Sequence, residues 1–333
     1  MSKYSNSSMD TFTTCSKKYD LHYNKRLRAT TISSPLFFGS AVDKAINHLL
    51  LQKKKVLTEE EKKILETPIG SIFLKSLQYV NINEELVDIS QSVQATYFNK
   101  DFDVDFLTEE DITFINEISP FELKYTQLSD FKIECQATLK SGAELTEDIH
   151  KTYNYCCWLS LKNKGEYLID CYKKYVMPLI REVTGIQQEV DLPGADGDGI
   201  RGFIDYTAIL EADGKEYVID NKTSSTKYPA NCIETTQQLV IYSEYMQNRN
   251  VGYVVMVKTK AKEPSKQIQV VTGTISEEQV KKVFDNLGEV IYNIKSGVFE
   301  ENWDSCFKYY TKCPYYNYCR SGDMTGLVKL EEK

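Results

Sequence analysis

Apolar residues near the amino terminus recur at the spacing of an α-helix. Within residues 40–52, Ala41, Ala45 and Leu49 share one side, because positions four apart lie on the same helical face. Residues 57–182 continue with segments of helix length, and two of these segments open with capping-box sequences. The pattern predicts one helix followed by a mostly helical segment.

After residue 185 the pattern changes to short runs rich in β-forming residues, separated by Gly, Pro and Asp. Helical patterns at 231–248 and 276–296 accompany these runs. This order of strands and helices predicts a small α/β core. The predicted strands are 186–191, 202–211, 215–222, 251–258 and 267–273.

Length and composition describe a folded protein. The chain has 333 residues, of which 41% are hydrophobic and 26% are charged, so collagenous, coiled-coil and wholly disordered classes are excluded. The length suits two domains, or one core that carries a large insertion. Neither a signal peptide nor a transmembrane run is apparent, so we expect no membrane association and a cytoplasmic or nucleoid-associated protein.

The net charge of −8 is unevenly distributed. Residues 81–122 hold eleven acidic residues against one lysine, which gives −10, so the remainder of the chain sums to +2. A nucleic-acid partner is therefore not excluded by the global charge. The acidic block itself is open to three interpretations: a solvated face, a docking surface, or a mimic of DNA.

A predicted hairpin in the α/β core brings charged residues together. The dipeptide Asp213–Gly214 favours a two-residue turn, which would place Asp205 opposite Lys222 and Asp220 opposite Thr207. These four side chains would then project from one face, with the two aspartates as diagonal neighbours.

Two carboxylates at that spacing can share a hard cation, and a nearby lysine can orient an attacking water. On the following helix, Gln238 and Tyr242 lie four residues apart and could hold a phosphate or a base. Upstream, Glu189 could add a third acidic group. An exposed hairpin with a surface salt bridge is the alternative interpretation of the same pattern.

Three of these motifs resemble the RecB-type branch of the PD-(D/E)XK nuclease superfamily: Gly202–Asp205, Ile219–Ser224 and Gln238–Tyr242. The resemblance implies an α/β fold with a restriction-endonuclease-like core, a mixed β-sheet flanked by helices. It also implies Mg2+ or Mn2+ as cofactor. Gly39–Asp43 stands where the family usually has a Gly-x-x-x-His element, so Asp43 replaces a metal-binding histidine.

The resemblance assigns roles to these residues. Asp205, Asp220, Lys222 and Glu189 are expected to be catalytic. Asp43, Asp205, Asp220 and the backbone carbonyl of Asn221 are expected to bind the metal, while Gln238 and Tyr242 would contact DNA.

The cysteines form a second motif. Cys306, Cys313 and Cys319 cluster near the carboxyl terminus, and Cys15 lies near the amino terminus. Three clustered thiols need a fourth ligand to complete a zinc or iron–sulfur site. The pattern is similar to the iron–sulfur-containing nucleases, which include CRISPR-adaptation exonucleases, exonuclease V and helicase-nuclease domains. That similarity implies a [4Fe-4S] cluster that joins the termini, although the position of Cys306 departs from the usual Cys-x2-Cys. Zinc and the absence of a metal remain alternatives.

The expected organisation has four parts. Residues 1–56 begin the nuclease core and carry the first cluster cysteine, and residues 57–182 form a large helical insertion. Residues 183–297 form the α/β nuclease core, and residues 298–333 form the cysteine-rich iron–sulfur segment.

The expected function is that of a DNA exonuclease on single-stranded DNA, acting in recombination, repair or processing. The sequence has no P-loop motif, so a helicase partner would be a separate chain, and a recombination protein is another potential partner. A non-catalytic DNA-binding or assembly module and an endonuclease on structured DNA are the alternatives.

Overall fold

A computed structural model describes residues 3–331, except 91, 93, 97–103, 118–120, 130–131, 140–145, 195–197 and 309–311. Parts of the acidic block at 81–122 therefore lie outside the described residues. No helix in the described part of the chain is both long enough and apolar enough to cross a membrane.

The fold combines helices, short helical turns and strands. The α-helices are α1 (Asn6–Thr14), α2 (Ser16–Tyr19), α3 (Ser34–Leu51), α4 (Glu59–Glu66), α5 (Ile69–Gln78), α6 (Glu109–Glu117), α7 (Glu147–Tyr175), α8 (Gln237–Met246), α9 (Glu277–Lys295) and α10 (Tyr316–Ser321). The strands are β1 (Lys3–Tyr4), β2 (Leu27–Ala29), β3 (Ile32–Ser33), β4 (Tyr79–Ile82), β5 (Glu85–Asp88), β6 (Ala95–Thr96), β7 (Phe121–Ser129), β8 (Lys132–Leu139), β9 (Ile180–Pro193), β10 (Gly199–Leu210), β11 (Glu216–Ser224), β12 (Asn250–Val257), β13 (Ile268–Thr274) and β14 (Leu327–Lys329). A π-helical turn covers Asp20–Asn24, and 3-10 turns cover Val104–Phe106, Met177–Leu179, Pro264–Lys266 and Trp303–Ser305.

A mixed sheet lies at the centre. Strands β9, β10, β11, β12 and β13 follow one another in space, and β1 pairs with the start of β10. The pairing of β11 with β12 is parallel and the other pairings among these five strands are antiparallel. Helix α8 makes the crossover that a parallel pair requires. The predicted mixed sheet flanked by helices is confirmed.

The predicted two-residue turn of the central hairpin is wrong. Tyr206 pairs with Ile219, and the Leu210 amide donates to the Lys215 carbonyl, so four residues form the loop. Within that loop, the Asp213 carboxylate accepts hydrogen bonds from the Lys215 amide and the Tyr217 hydroxyl. These bonds stabilise a wider turn, and the register shifts by two residues from the predicted one.

Apolar side chains cover both faces of the sheet. On one face, Phe38 of α3 and Leu168 of α7 pack in a cluster that includes Tyr206 and Ile219. On the other face, residues of α1, α8 and α9 pack around Val218 and its neighbours. Because α7 contributes to the same core as the sheet, the segment at 57–182 is packed against the α/β part.

The segment at 57–182 differs in part from the prediction. Its described residues contain α4, α5, α6 and α7, as expected, but also two antiparallel pairs, β4 with β5 and β7 with β8. Helix α8 is also shorter than the predicted 231–248. The Thr236 hydroxyl caps its first turn, and Gln247 ends it in a left-handed conformation with φ of 50°.

The two ends of the chain meet. Strand β2 pairs with β14, and the Tyr315 hydroxyl donates to the Leu27 carbonyl at 2.9 Å. Nearby, the Lys17 backbone amide donates to the Glu300 carbonyl at 3.0 Å, and the Asn302 side-chain amide donates to the Thr14 carbonyl at 2.9 Å. Backbone pairing and hydrogen bonds therefore join the termini beside the cysteines.

Candidate active site

The candidate site lies where β10 and β11 separate. In the described part of the chain, their backbone pairing ends at Tyr206–Ile219, and one further step of the same register places Asp205 opposite Asp220. Beyond this point β10 pairs with β1 and β9, whereas β11 continues along β12 to Ser224. The separation leaves the two aspartates at the head of a gap in the sheet.

Hydrogen bonds hold the two aspartates in place. The Asn221 amide donates to Asp205 Oδ2 at 2.7 Å, and Gln238 Nε2 donates to Asp220 Oδ1 at 3.0 Å. Lys222 Nζ lies 2.5 Å from Asp220 Oδ2. The even shift in register keeps Asp205, Asp220 and Lys222 on one face, so the predicted grouping of these side chains is observed.

Gln238 and Tyr242 contact the charged residues of this site. Gln238 Oε1 accepts a hydrogen bond from Lys222 Nζ at 2.9 Å, and Gln238 Nε2 lies 2.9 Å from the Tyr242 hydroxyl. Helix α8 therefore orients both Asp220 and Lys222 through one amide side chain. Direct contact of Gln238 and Tyr242 with DNA stays a prediction.

Asp43 comes to the site from α3. Its Oδ2 accepts hydrogen bonds from Asn47 Nδ2 at 3.2 Å and Gln187 Nε2 at 3.4 Å. Its Oδ1 is buried and has no hydrogen-bond partner among the described residues. A buried carboxylate oxygen without a donor is costly unless a cation or a proton occupies it.

The three aspartates repel one another. Burial, followed by the charges of Asp220 and Asp43, raises the pKa of Asp205 to about 8. Burial and the charge of Asp220 raise the pKa of Asp43 to about 6. Burial also raises the pKa of Asp220, which is 1% exposed, against the lowering effect of Lys222. One buried and two half-buried acids with elevated pKa values form a site that favours added positive charge.

Lys222 is the cation of this cluster. Burial lowers its pKa, but the charge and hydrogen bond of Asp220, together with Asp205, raise the pKa by more, so the net direction is upward. The ammonium group therefore stays protonated at neutral pH. It has three N–H donors, and its contacts with Asp220 and Gln238 engage two of them.

The aspartates of this site can supply some of the ligands of a magnesium ion, and the remaining ligands would be waters or substrate phosphates. Among the described residues, no group of three or more His, Cys, Asp or Glu side chains converges closely enough to hold a metal ion. Mg2+ in enzymes usually takes one or two carboxylates, keeps several waters and binds substrate phosphates. Two opposed aspartates and the unpaired oxygen of Asp43 suit that mode of binding.

Glu189 does not join this cluster. It is exposed on β9, opposite Phe203 of β10, which is 56% exposed. The acidic groups that raise the pKa of Asp205 are Asp220 and Asp43. The catalytic role of Glu189 stays a prediction.

Two tyrosines near the site were missed in the sequence. The Tyr172 hydroxyl, on α7, lies within hydrogen-bond distance of Asn221 Oδ1, at 3.3 Å, and of the Tyr206 hydroxyl, at 3.1 Å. Both tyrosine rings are fully buried. Residue spacing contains no signal for this contact, because α7 reaches the site through tertiary packing alone.

The four predicted cluster cysteines share one small cavity. Cys15, Cys306, Cys313 and Cys319 all line it, together with Tyr315. Burial, followed by Glu301 and the other three thiols, raises the pKa of Cys319 to about 11. The thiols are therefore neighbours, although the described residues contain no compact group of metal ligands there.

A comparison with curated proteins found no similar sequence. A comparison with protein families matched residues 158–320 to the model of the PD-(D/E)XK nuclease superfamily. The matched range includes Asp205, Asp220 and Lys222, and it leaves Asp43 and Cys15 outside. Just under half of the chain therefore resembles this superfamily, and the match implies a metal-dependent nuclease, a phosphodiester hydrolase that acts on DNA with divalent metals such as Mg2+.

Proposed function

We propose that this protein is a DNA exonuclease that degrades single-stranded DNA during recombination, repair or processing. The observation that carries the proposal is the group of three aspartates beside Lys222, at the gap between β10 and β11, of which Asp220 is buried and Asp43 and Asp205 are half-buried. A structural salt bridge needs one acid and one base, whereas this site groups three acids with raised pKa values around one lysine.

Asp205, Asp220, Asp43 and the Asn221 carbonyl would hold Mg2+ or Mn2+, which supplies Lewis-acid stabilisation of the charge on the phosphate. Lys222 would orient the water that attacks phosphorus, using the N–H that Asp220 and Gln238 leave available. Gln238 fixes the direction of this N–H, because it binds both Lys222 and Asp220. The Lys222 ammonium group would thus be oriented before the substrate arrives.

Preference for single strands with free ends is supported by the position of α7. This helix belongs to the segment at 57–182, and its Tyr172 contacts Asn221 beside Asp220. A segment packed this close to the catalytic residues narrows the approach to them, and a single strand needs less room than a duplex. A separate helicase or recombination protein would supply such strands.

We also propose a [4Fe-4S] cluster at Cys15, Cys306, Cys313 and Cys319. The support is that all four thiols line one cavity, and that burial, together with the neighbouring thiols and Glu301, raises the pKa of Cys306 and Cys319. A cluster would remove this repulsion by binding thiolates, and it would lie where β2 and β14 join the two termini.

The test uses two forms of single-stranded DNA, one linear with labelled ends and one closed circular, each with Mg2+, Mn2+ or EDTA. We expect metal-dependent degradation of the linear strand only, and we expect Asp220→Ala and Lys222→Ala to abolish it. Cleavage of the circle would indicate an endonuclease instead. Binding without cleavage by brown, anaerobically purified protein would indicate a non-catalytic module.

A further inference from the structure

Lysines are concentrated beyond the carboxyl ends of β11 and β12. The segments that follow these strands, residues 225–229 and 258–266, are called the lysine loops here. They contain five lysines and one acidic residue, Glu263, which gives a local charge of +4 in a chain whose net charge is −8. The lysines are Lys227, Lys258, Lys260, Lys262 and Lys266.

The lysine loops begin close to the catalytic lysine. Because β11 and β12 are parallel, their carboxyl ends meet at one edge of the sheet. Lys222 lies two residues before the end of β11, which is about 7 Å at the usual rise of a strand. A nucleic-acid strand with one phosphate at Lys222 would reach the loops with its next phosphates.

Hydrogen bonds fix the two loops to each other and to the sheet. The Lys258 amide donates to the Ser224 carbonyl at 2.7 Å, and the Thr259 hydroxyl donates to the Ser225 carbonyl at 3.1 Å. The fully buried Gln267 accepts from the Ala261 amide at 2.8 Å and donates to the Thr259 carbonyl at 3.0 Å. The lysines are thus presented from an ordered backbone.

The loops also contact the segment at 57–182. Lys260 Nζ lies 5.4 Å from the centre of the Phe106 ring and 5.9 Å from that of Tyr167, and it donates to the Asp105 carbonyl. The lysine loops therefore line the boundary between this segment and the sheet. In the lysine loops, Lys227 and Lys262 are exposed.

We propose that the lysine loops bind the phosphate backbone of single-stranded DNA and guide it towards Lys222. This inference rests on the proposed function, since it names the surface through which the same site receives its substrate. Exposed ammonium groups on an ordered backbone bind phosphates without reading bases, so the contact is independent of sequence.

The test measures binding separately from cleavage. Fluorescently labelled single-stranded DNA is titrated with Asp220→Asn protein in EDTA at several salt concentrations, and Lys227→Gln/Lys262→Gln is added to this background. Each lost phosphate contact lowers the salt slope on single strands by about 0.7, so we expect a decrease of about 1.4. At 0.1 M salt this corresponds to about 25-fold weaker binding if the lines converge near 1 M.

Lys281→Gln/Lys282→Gln is the matched control, since it removes two exposed lysines from α9. The proposal is overturned if the loop variant and the control bind alike. Thermal unfolding checks that the loop variant is folded. If it is not folded, Lys227→Gln and Lys262→Gln are measured separately, and each should lower the salt slope by about 0.7. If the native protein does not cleave DNA but the loop substitutions weaken binding, the proposed function is refuted and this inference is retained. If the native protein cleaves DNA but the loop substitutions leave binding unchanged, this inference is refuted and the proposed function is retained.

Discussion

The substitution Asp205→Asn should stabilise the metal-free protein while removing its activity. Asp205 is half-buried beside Asp220 and Asp43, and desolvation together with these two charges raises its pKa from 3.8 to about 8. An asparagine keeps the shape and an oxygen that accepts from the Asn221 amide. It carries no charge, so the folded state no longer has to take up a proton or bury a third anion.

The size of the effect follows from the pKa. At pH 7 the solution lies about three pH units above 3.8, the pKa of Asp205 in the unfolded chain. Each unit corresponds to about 1.4 kcal/mol, so the charge of Asp205 can lower the free energy of unfolding by at most about 4 kcal/mol. Asp43 and Asp220 can take up protons in place of Asp205, which reduces the repulsion among the three carboxylates. We therefore expect Asp205→Asn to raise the free energy of unfolding by about 2 kcal/mol, half of the ceiling. For a chain of 333 residues that is about 3 °C in Tm.

The raised pKa of Asp205 also predicts how the free energy of unfolding depends on pH. Because folding raises the pKa of Asp205, the folded state binds more protons than the unfolded state between about pH 4 and pH 8. The native protein in EDTA should therefore lose stability as pH rises through this window. The advantage of Asp205→Asn should shrink as pH falls towards 4.

Thermal unfolding in EDTA and in Mg2+ tests this reasoning, with Asp285→Asn on the exposed face of α9 as control. Mg2+ should raise the Tm of the native protein at pH 8, since a ligand that binds only the folded state stabilises it, and it should do so much less for Asp205→Asn. A lower Tm for Asp205→Asn than for the native protein, in EDTA at pH 8, would refute the charge argument.

Three further substitutions test other parts of the fold. Thr236→Ala removes the cap of α8 and the hydrogen bond to the Tyr253 hydroxyl, and urea unfolding should show a loss of about 1–2 kcal/mol; no loss would contradict the capping role. Tyr172→Phe removes the hydroxyl that contacts Tyr206 and Asn221, so the free energy of unfolding should fall by about 1 kcal/mol, and an unchanged value would show that these contacts contribute nothing. Cys319→Ser should lower the iron content and the visible absorbance of anaerobically purified protein, and retention of both would exclude Cys319 as a ligand.

The α/β core could be predicted because its signals are local. Short runs of β-forming residues, separated by Gly, Pro and Asp, marked strands β9 to β13, whereas β1 was not predicted. The register of the central hairpin could not be predicted, since the Asp213 carboxylate supports a four-residue loop that a dipeptide preference does not reveal. The error was an even number of residues, so the grouping of Asp205, Asp220 and Lys222 on one face survived it.

The parts that the sequence did not reveal depend on long-range contacts. Tyr172 reaches Asn221 from α7 only because that helix packs on the sheet. Gln187 reaches Asp43 across 144 positions of the chain. Gln238 was expected to contact DNA, but its hydrogen bonds to Asp220 and Lys222 could not be predicted, because they depend on how α8 packs beside β11.

The most direct test of the account is cleavage of end-labelled single-stranded DNA by native protein and by Lys222→Ala, in Mg2+ and in EDTA. Native protein should release the label only with Mg2+, and Lys222→Ala should be slower by at least about 100-fold, the usual cost of losing a group that stabilises the transition state. Release of label in EDTA, or equal rates for the two proteins in Mg2+, would contradict a metal-dependent site centred on Asp205, Asp220 and Lys222.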